Sequence, residues 1–160
     1  MSKSLSRVRA ALAAAGLPAE IRETPLARTA ADAATALGVT LDQIAKSIIF
    51  RGEDQGRALL FLTAGGNRVD PARAAACAKE RLCKADAALI RAQTGFAIGG
   101  VAPLGHLSPI RSFLDPRLME FDIVWAAAGT PHHVFAIDPR DLHRVTQAQL
   151  SDFTAEVKKM

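Results

Sequence analysis

The amino-acid sequence predicts an α+β protein, with a mixed β-sheet flanked by helices in one compact domain. Three observations lead there. Two apolar runs, KSIIFRG (46–52) and RALLFLTAG (57–65), are separated only by the polar EDQG, which is the pattern of a β-hairpin. Asp-Pro pairs at 70–71 and 138–139 each offer a helix N-cap followed by proline at the first helical position. Strands and helices then alternate irregularly, which argues against a regular βαβ repeat.

Taken in order, Leu5, Val8, Leu12 and Ala15 recur at helical spacing, and Gly16 stops that helix. AEIRE (19–23) alternates as a short strand. Thr29 can cap the helix AADAATAL (30–37), with Asp32 in its first turn and Gly38 as its stop, and Thr40 starts a short turn. After the hairpin, Asp70 caps a helix over 69–80, and a second helix over 85–93 ends at Gly95. A glycine-punctuated segment follows, TGFAIGGVAPLGH (94–106). IRSFL (110–114), DIVWAAAG (122–129) and HHVFAI (132–137) read as strands, with DPRLMEF (115–121) as a turn. DPRDLHRV (138–145) starts the last helix, and the tail AQLSDFTAEV reads as a short turn.

Composition excludes several classes. The chain has 160 residues, 49% hydrophobic and 22% charged, and no apolar run long enough to span a membrane. Its N-terminal segment lacks an uninterrupted apolar stretch of signal length, so it reads as an amphipathic helix of a cytoplasmic protein. A net charge of +4 suits a polyanionic partner without demanding one. With seven Phe, one Trp and no Tyr, the chain lacks a platform for stacking single-stranded bases, so any nucleic-acid contact falls mainly on phosphates. Cys77 and Cys83, six residues apart, would lie on different faces of a helix and point to free thiols rather than a disulfide or shared metal.

Familiar catalytic motifs are missing. Gly100 and Gly105 have P-loop spacing, but His106 and Leu107 stand where Lys and Ser/Thr are required. GxGxxG, GxSxG, HExxH and CxxC do not occur. His132 and His133 are adjacent and would face opposite sides of a strand, while His106 and His143 are isolated, so no metal site is expected. What remains is Lys46 at the start of an apolar strand and the glycine loop. Glycines permit close backbone approach and leave N–H groups able to hold a carbonyl or developing oxyanion, and Pro103 stiffens the loop.

Four segments together resemble the YbaK/prolyl-tRNA synthetase-associated editing domains, a family of aminoacyl-tRNA deacylases. They are RTAADAATALGVTLDQIAKSIIF, GNRVDPARAA, TGFAIGGVAPLGH and DIVWAAAGTPHHVFAIDPRDL, in the family's order. The likeness runs from about Leu5 to Phe153, the core of a single editing domain over 1–160. It implies a curved mixed sheet and hydrolysis of the ester joining a wrong amino acid to the tRNA 3′ end. Lys46 matches the family's functional lysine, and Gly100 in the glycine loop is the second expected catalytic position. Gly99, Val101, Pro103 and His106 of that loop, with Gly129, Thr130 and His132, are the expected substrate-binding positions. Asp70 also matches a family position, although its cap role explains it.

An aminoacyl ester is already activated, so hydrolysis needs a positioned water and oxyanion stabilisation rather than a nucleophilic triad. No cofactor is implied. The expected partners are the acceptor end of a mischarged tRNA, tRNA(Pro) first, and prolyl-tRNA synthetase; neither DNA nor membrane is among them. The chain's length and lack of synthetase modules suggest a protein acting in trans. The alternative is a non-catalytic module of this fold that binds the acceptor end or a synthetase. Lys46 together with the complete glycine loop favours catalysis. Family members remove alanine, cysteine, serine, threonine or 2-aminobutyrate. GGVAPLGH is close to the cysteine-type loop, whereas WAAAGTPHHVF looks like the less specialised freestanding members.

Overall fold

The computed structural model describes residues 2–27 and 29–156. Helix α1 (Lys3–Ala14) is capped by the Ser2 hydroxyl, which accepts the Leu5 N–H, and it buries Leu5, Val8 and Leu12. Then come β1 (Ile21–Glu23), α2 (Ala30–Leu37), a 3-10 turn at Leu41–Gln43, and the hairpin β2 (Ile44–Gly52) and β3 (Ala58–Ala64). α3 (Pro71–Ala78), β4 (Leu82–Lys84), α4 (Ala87–Thr94) and β5 (Arg111–Leu114) follow. The chain closes through a 3-10 helix at Pro116–Glu120, β6 (Val124–Ala127), β7 (His133–Ile137), α5 (Pro139–Thr146) and β8 (Gln149–Leu150). The expected caps form: Thr29, Asp70 and Asp138 each accept N–H groups of the helix they precede.

The strands build one mixed sheet in the order β1-β7-β6-β2-β3-β5-β8, with β4 added to β2. β2–β3, β2–β4, β6–β7 and β1–β7 are antiparallel, whereas β2–β6, β3–β5 and β5–β8 are parallel. All seven residues of β3 are buried, which accounts for its unbroken apolar run. Alternation sends Leu60, Leu62 and Ala64 to the larger core with α1, and Leu59 and Phe61 to a smaller one with Ala74 and Ala78 of α3. In that smaller core Phe61 stacks on Phe113 at 4.7 Å and meets Phe153 edge-on at 5.1 Å.

Two local expectations are corrected. The helix carrying Cys77 ends at Ala78, where Lys79 turns left-handed (φ 60°), so Cys83 lies instead on β4. That three-residue strand has no alternation of its own and forms because the far end of β2 offers an edge. The tail is not a turn: β8 pairs with β5, Val69 bridges Thr154, and Phe153 is fully buried. Among the described residues no helix is long and apolar enough to cross a membrane.

One feature of the sheet positions the site. On one side β2 is paired along its length with β3, but on the other it meets β6 only at Ile44 and Ala45 and β4 only at Phe50–Gly52. Residues 46–49 have no strand partner there. The Gly52 N–H bonds Arg57 O across the hairpin, so even-numbered β2 residues address β3 and odd-numbered ones address the gap. Ser47 therefore turns its backbone N–H and C=O towards the gap, and its hydroxyl donates to Val101 O of the glycine loop at 2.8 Å.

Candidate functional site

A cavity of about 510 Å³ opens beside this gap, within the ~300–1,000 Å³ usual for small-molecule sites. Its walls come from the segment before α2, α2 itself, the start of β2, β6, the turn into β7, and the glycine loop. Seven alanines contribute, together with Ile44, Ile48, Val101, Trp125 and Val134. The polar side chains on this apolar surface are few: Thr29, Lys46, Ser47, Thr130 and His133.

Lys46 is half-buried and donates from Nζ to Asn67 O at 2.6 Å. Burial pulls its ammonium below the ordinary lysine value of 10.5, assisted by Arg68 and opposed by the carboxylates of Asp42 and Asp115. An ammonium has three N–H donors, so two remain for a ligand in the cavity.

The glycine loop, 94–106, divides into a face on the cavity and a face in the core. Gly99 and Val101 line the cavity, whereas Phe96, Ala102 and Leu104 are buried within the larger core and Pro103 is buried away from the cavity. The apolar character of the loop thus comes mostly from its inner side, not from contact with a substrate. Arg7 of α1 clasps both ends, donating from Nη2 to Gly95 O at 2.7 Å and from Nε to Gly105 O at 3.0 Å, with its guanidinium over the Phe96 ring. His106 donates from Nε2 to Ala102 O at 2.7 Å, which fixes its tautomer because a carbonyl only accepts. Burial, reinforced by Arg7, lowers the His106 pKa, although the bond to Ala102 opposes the shift. Its ring braces the loop from within and does not line the cavity.

Gly100 is placed differently from a backbone donor. Its N–H bonds Ala97 O at 3.1 Å, and a Cβ there would lie 2.8 Å from Thr130 Cα. The residue is glycine because the loop packs backbone to backbone on the 129–131 turn. Among the described residues, no protein acceptor takes the N–H of Gly99 or Val101.

At the turn into β7, Thr130 lines the cavity, and its Oγ1 accepts the His132 N–H at 3.1 Å and lies 2.6 Å from His133 Nδ1. In the simplest pairing the hydroxyl donates to Nδ1 and the ring proton stays on Nε2. His133 lines the cavity, whereas His132 is exposed and outside its wall. Gly129 faces the start of α1: a Cβ there would meet Ser4 backbone at 2.9 Å. The structure therefore brings together Lys46, Gly99, Val101 and Thr130, and leaves Gly100, Pro103, His106, Gly129 and His132 behind the wall or outside it. Sequence reasoning missed His133 and Ser47. The strand start at His133 is the signal that chooses between the paired histidines, and it depends on pairing with β1 and β6.

The chain is similar to several known proteins. A family model described as an aminoacyl-tRNA editing domain matches residues 24–145. A crystal structure described as a candidate trans-editing enzyme for prolyl-tRNA synthetase is 41% identical, with a TM-score of 0.90 over 98% of this chain and 99% of that one. A scaffold from work on epitope backbone grafting by computational design is 40% identical, with a TM-score of 0.91 over 98% of this chain and 100% of that one. The uncharacterized protein YwhH of Bacillus subtilis (strain 168) is 34% identical over 116 residues, 71% of this chain and 72% of its own.

Proposed function

The chain belongs to the aminoacyl-tRNA editing domain family, and from that premise we propose that it is a trans-acting deacylase. It hydrolyses the ester joining a small, wrongly attached amino acid to tRNA, with tRNA(Pro) as the carrier. The observation that carries this is one constellation: Lys46, the loop residues Gly99 and Val101, and the Thr130–His133 pair all line a single alanine-walled cavity.

Each group has a task the chemistry requires. Lys46 holds a phosphate or ribose oxygen of the terminal adenosine as a point charge. The N–H groups of Gly99 and Val101, without protein acceptors among the described residues, stabilise the oxyanion that forms when water adds to the ester carbonyl. The Ser47 C=O, turned to the gap, accepts from the substrate's α-ammonium, and His133 and Thr130 orient the aminoacyl end or the attacking water. Collapse of the tetrahedral adduct breaks the carbonyl-carbon–ribose-oxygen bond. The ribose hydroxyl takes one proton from the attacking water, and the amino acid leaves as its carboxylate, releasing the other. No cofactor is called for. Alanine walls leave room for the substrate and favour a small side chain, the kind of error a synthetase pocket rejects poorly. The partners are a mischarged acceptor end and, in passing, prolyl-tRNA synthetase, in the cytoplasm where translation runs.

The test is deacylation of tRNA(Pro) charged in turn with Ala, Cys, Ser, Thr and 2-aminobutyrate, by the wild type and by Lys46→Ala. At least one ester should be cleaved well above the rate in buffer. Lys46→Ala should lower kcat/KM by roughly 10- to 100-fold, the scale of one charge-assisted hydrogen bond. Binding without cleavage by the wild type would replace the enzyme with an acceptor-end binding module.

A further inference from the structure

We propose that Asn67 and Asp115 are positioning residues for Lys46: a buried carboxylate anchors the Asn67 amide, and the Asn67 carbonyl fixes where the ammonium stands over the cavity. Asp115 is only 2% exposed and lies at the end of β5, where it caps the 3-10 helix Pro116–Glu120. Its Oδ2 accepts from Asn67 Nδ2 at 2.9 Å and from Ala64 N at 3.1 Å, and its Oδ1 accepts from Arg117 N at 2.9 Å. Asn67 closes the turn after β3, donating its N–H to Ala64 O at 2.9 Å, and its own carbonyl takes the Lys46 ammonium.

The turn is gripped from both sides. Asp42, from the 3-10 turn before β2, accepts the Gly66 N–H at 2.8 Å and pairs with Arg117 at 3.0 Å. A Cβ on Gly66 would sit 2.5 Å from Asp42 Oδ1. The Asn67 carbonyl is therefore set by two elements that do not belong to the hairpin. A lysine stem has four flexible torsions, and a fixed acceptor at its tip selects one of many rotamers. The Asp115 cap would form whatever residue stood at position 67. The side-chain bond from Asn67 Nδ2 to Asp115 is the part that the cap leaves unexplained, and it ties down the residue whose backbone carbonyl holds Lys46. The charged groups around this ammonium are Arg68, Asp42 and Asp115, with Arg117 bound to Asp42.

The activity readout rests on the editing function proposed above, so a second readout is independent of it. In the first, Asn67→Ala, Lys46→Ala and the double variant are compared by kcat/KM on mischarged tRNA and by Tm. Asn67→Ala leaves the two other contacts of the Asp115 carboxylate and the turn in place. It should lower kcat/KM roughly tenfold, with no further loss when Lys46 is already alanine. In the second, lysine side-chain resonances are titrated by NMR in the full chain without tRNA. In Asn67→Ala the ammonium should leave the half-buried position whose desolvation lowers it, so the Lys46 midpoint should move upward, towards the ordinary lysine value. An Asn67→Ala penalty that persists undiminished in the Lys46→Ala background would overturn the inference. So would an unmoved Lys46 midpoint. If the wild type cleaves no aminoacyl-tRNA, the editing function falls and the titration alone decides the positioning role.

Discussion

Replacing Gly100 with alanine tests whether the glycine loop forms the cavity wall by leaning on the 129–131 turn. The added Cβ would stand 2.8 Å from Thr130 Cα and 2.9 Å from its N and carbonyl carbon. Comfortable carbon contacts need about 3.5–4.0 Å, so the two segments must part by roughly 0.7 Å or more. Neither side yields easily, because backbone meets backbone. The Thr130 turn is tied through His132 O to Thr24 N–H at 2.7 Å and through Pro131 O to Ala27 N–H at 3.3 Å. Overpacking of this kind costs about 1–3 kcal/mol, equivalent to a fall in Tm of about 3–10 °C for a chain of this size. Because Gly99 and Val101 flank the clash and line the cavity, catalysis should suffer more: a shift approaching 1 Å lowers rates by about 100-fold. Calorimetry and single-turnover deacylation of the best ester measure both effects. Unchanged Tm and turnover would refute the close contact. A lowered Tm with full turnover would show that the wall does not depend on it.

Two further outcomes concern the loop's supports. Arg7→Lys cannot span Gly95 O and Gly105 O with one planar group, and should cost about 2–3 kcal/mol, read by urea unfolding; a loss below about 0.5 kcal/mol would dismiss the clasp. His106→Leu leaves the buried Ala102 carbonyl without its donor and should cost about 1–3 kcal/mol at pH 7. The wild type should also lose stability as pH falls below about 6.5. There the unfolded chain takes up a proton that native His106, its pKa lowered, refuses until lower pH. The Leu variant should show a weaker decline over that window, and an identical slope would exclude His106 as its source.

Much of the architecture was legible because its signals are local. Thr29, Asp70 and Asp138 cap helices through hydroxyl or carboxylate oxygens two or three residues from the donors they satisfy. The polar EDQG between two apolar runs defines the hairpin with no reference to the rest of the chain. The mixed α+β class followed from these pieces, and the family from four segments whose order survives in the chain. Lys46 and the glycine loop remained once the familiar motifs were set aside, and only the family resemblance attached roles to them.

What the sequence could not supply is which face each group presents and which distant group it meets. β4 exists because one edge of β2 is free, and Phe153 belongs to the core because the tail returns beside Val69 and meets Phe61 edge-on. The Arg7 clasp joins residues 88 and 98 positions apart, and the Asn67–Asp115 bond joins residues 48 apart. His133 rather than His132 lines the cavity because β7 begins there, and Gly100 packs on Thr130 while its neighbours face the cavity. Caps and turns are settled within a few residues by backbone geometry and hydrogen bonding. Edges, faces and anchors are settled only when the sheet and its helices close around a shared core, since only then do residues far apart in the chain compete for the same space.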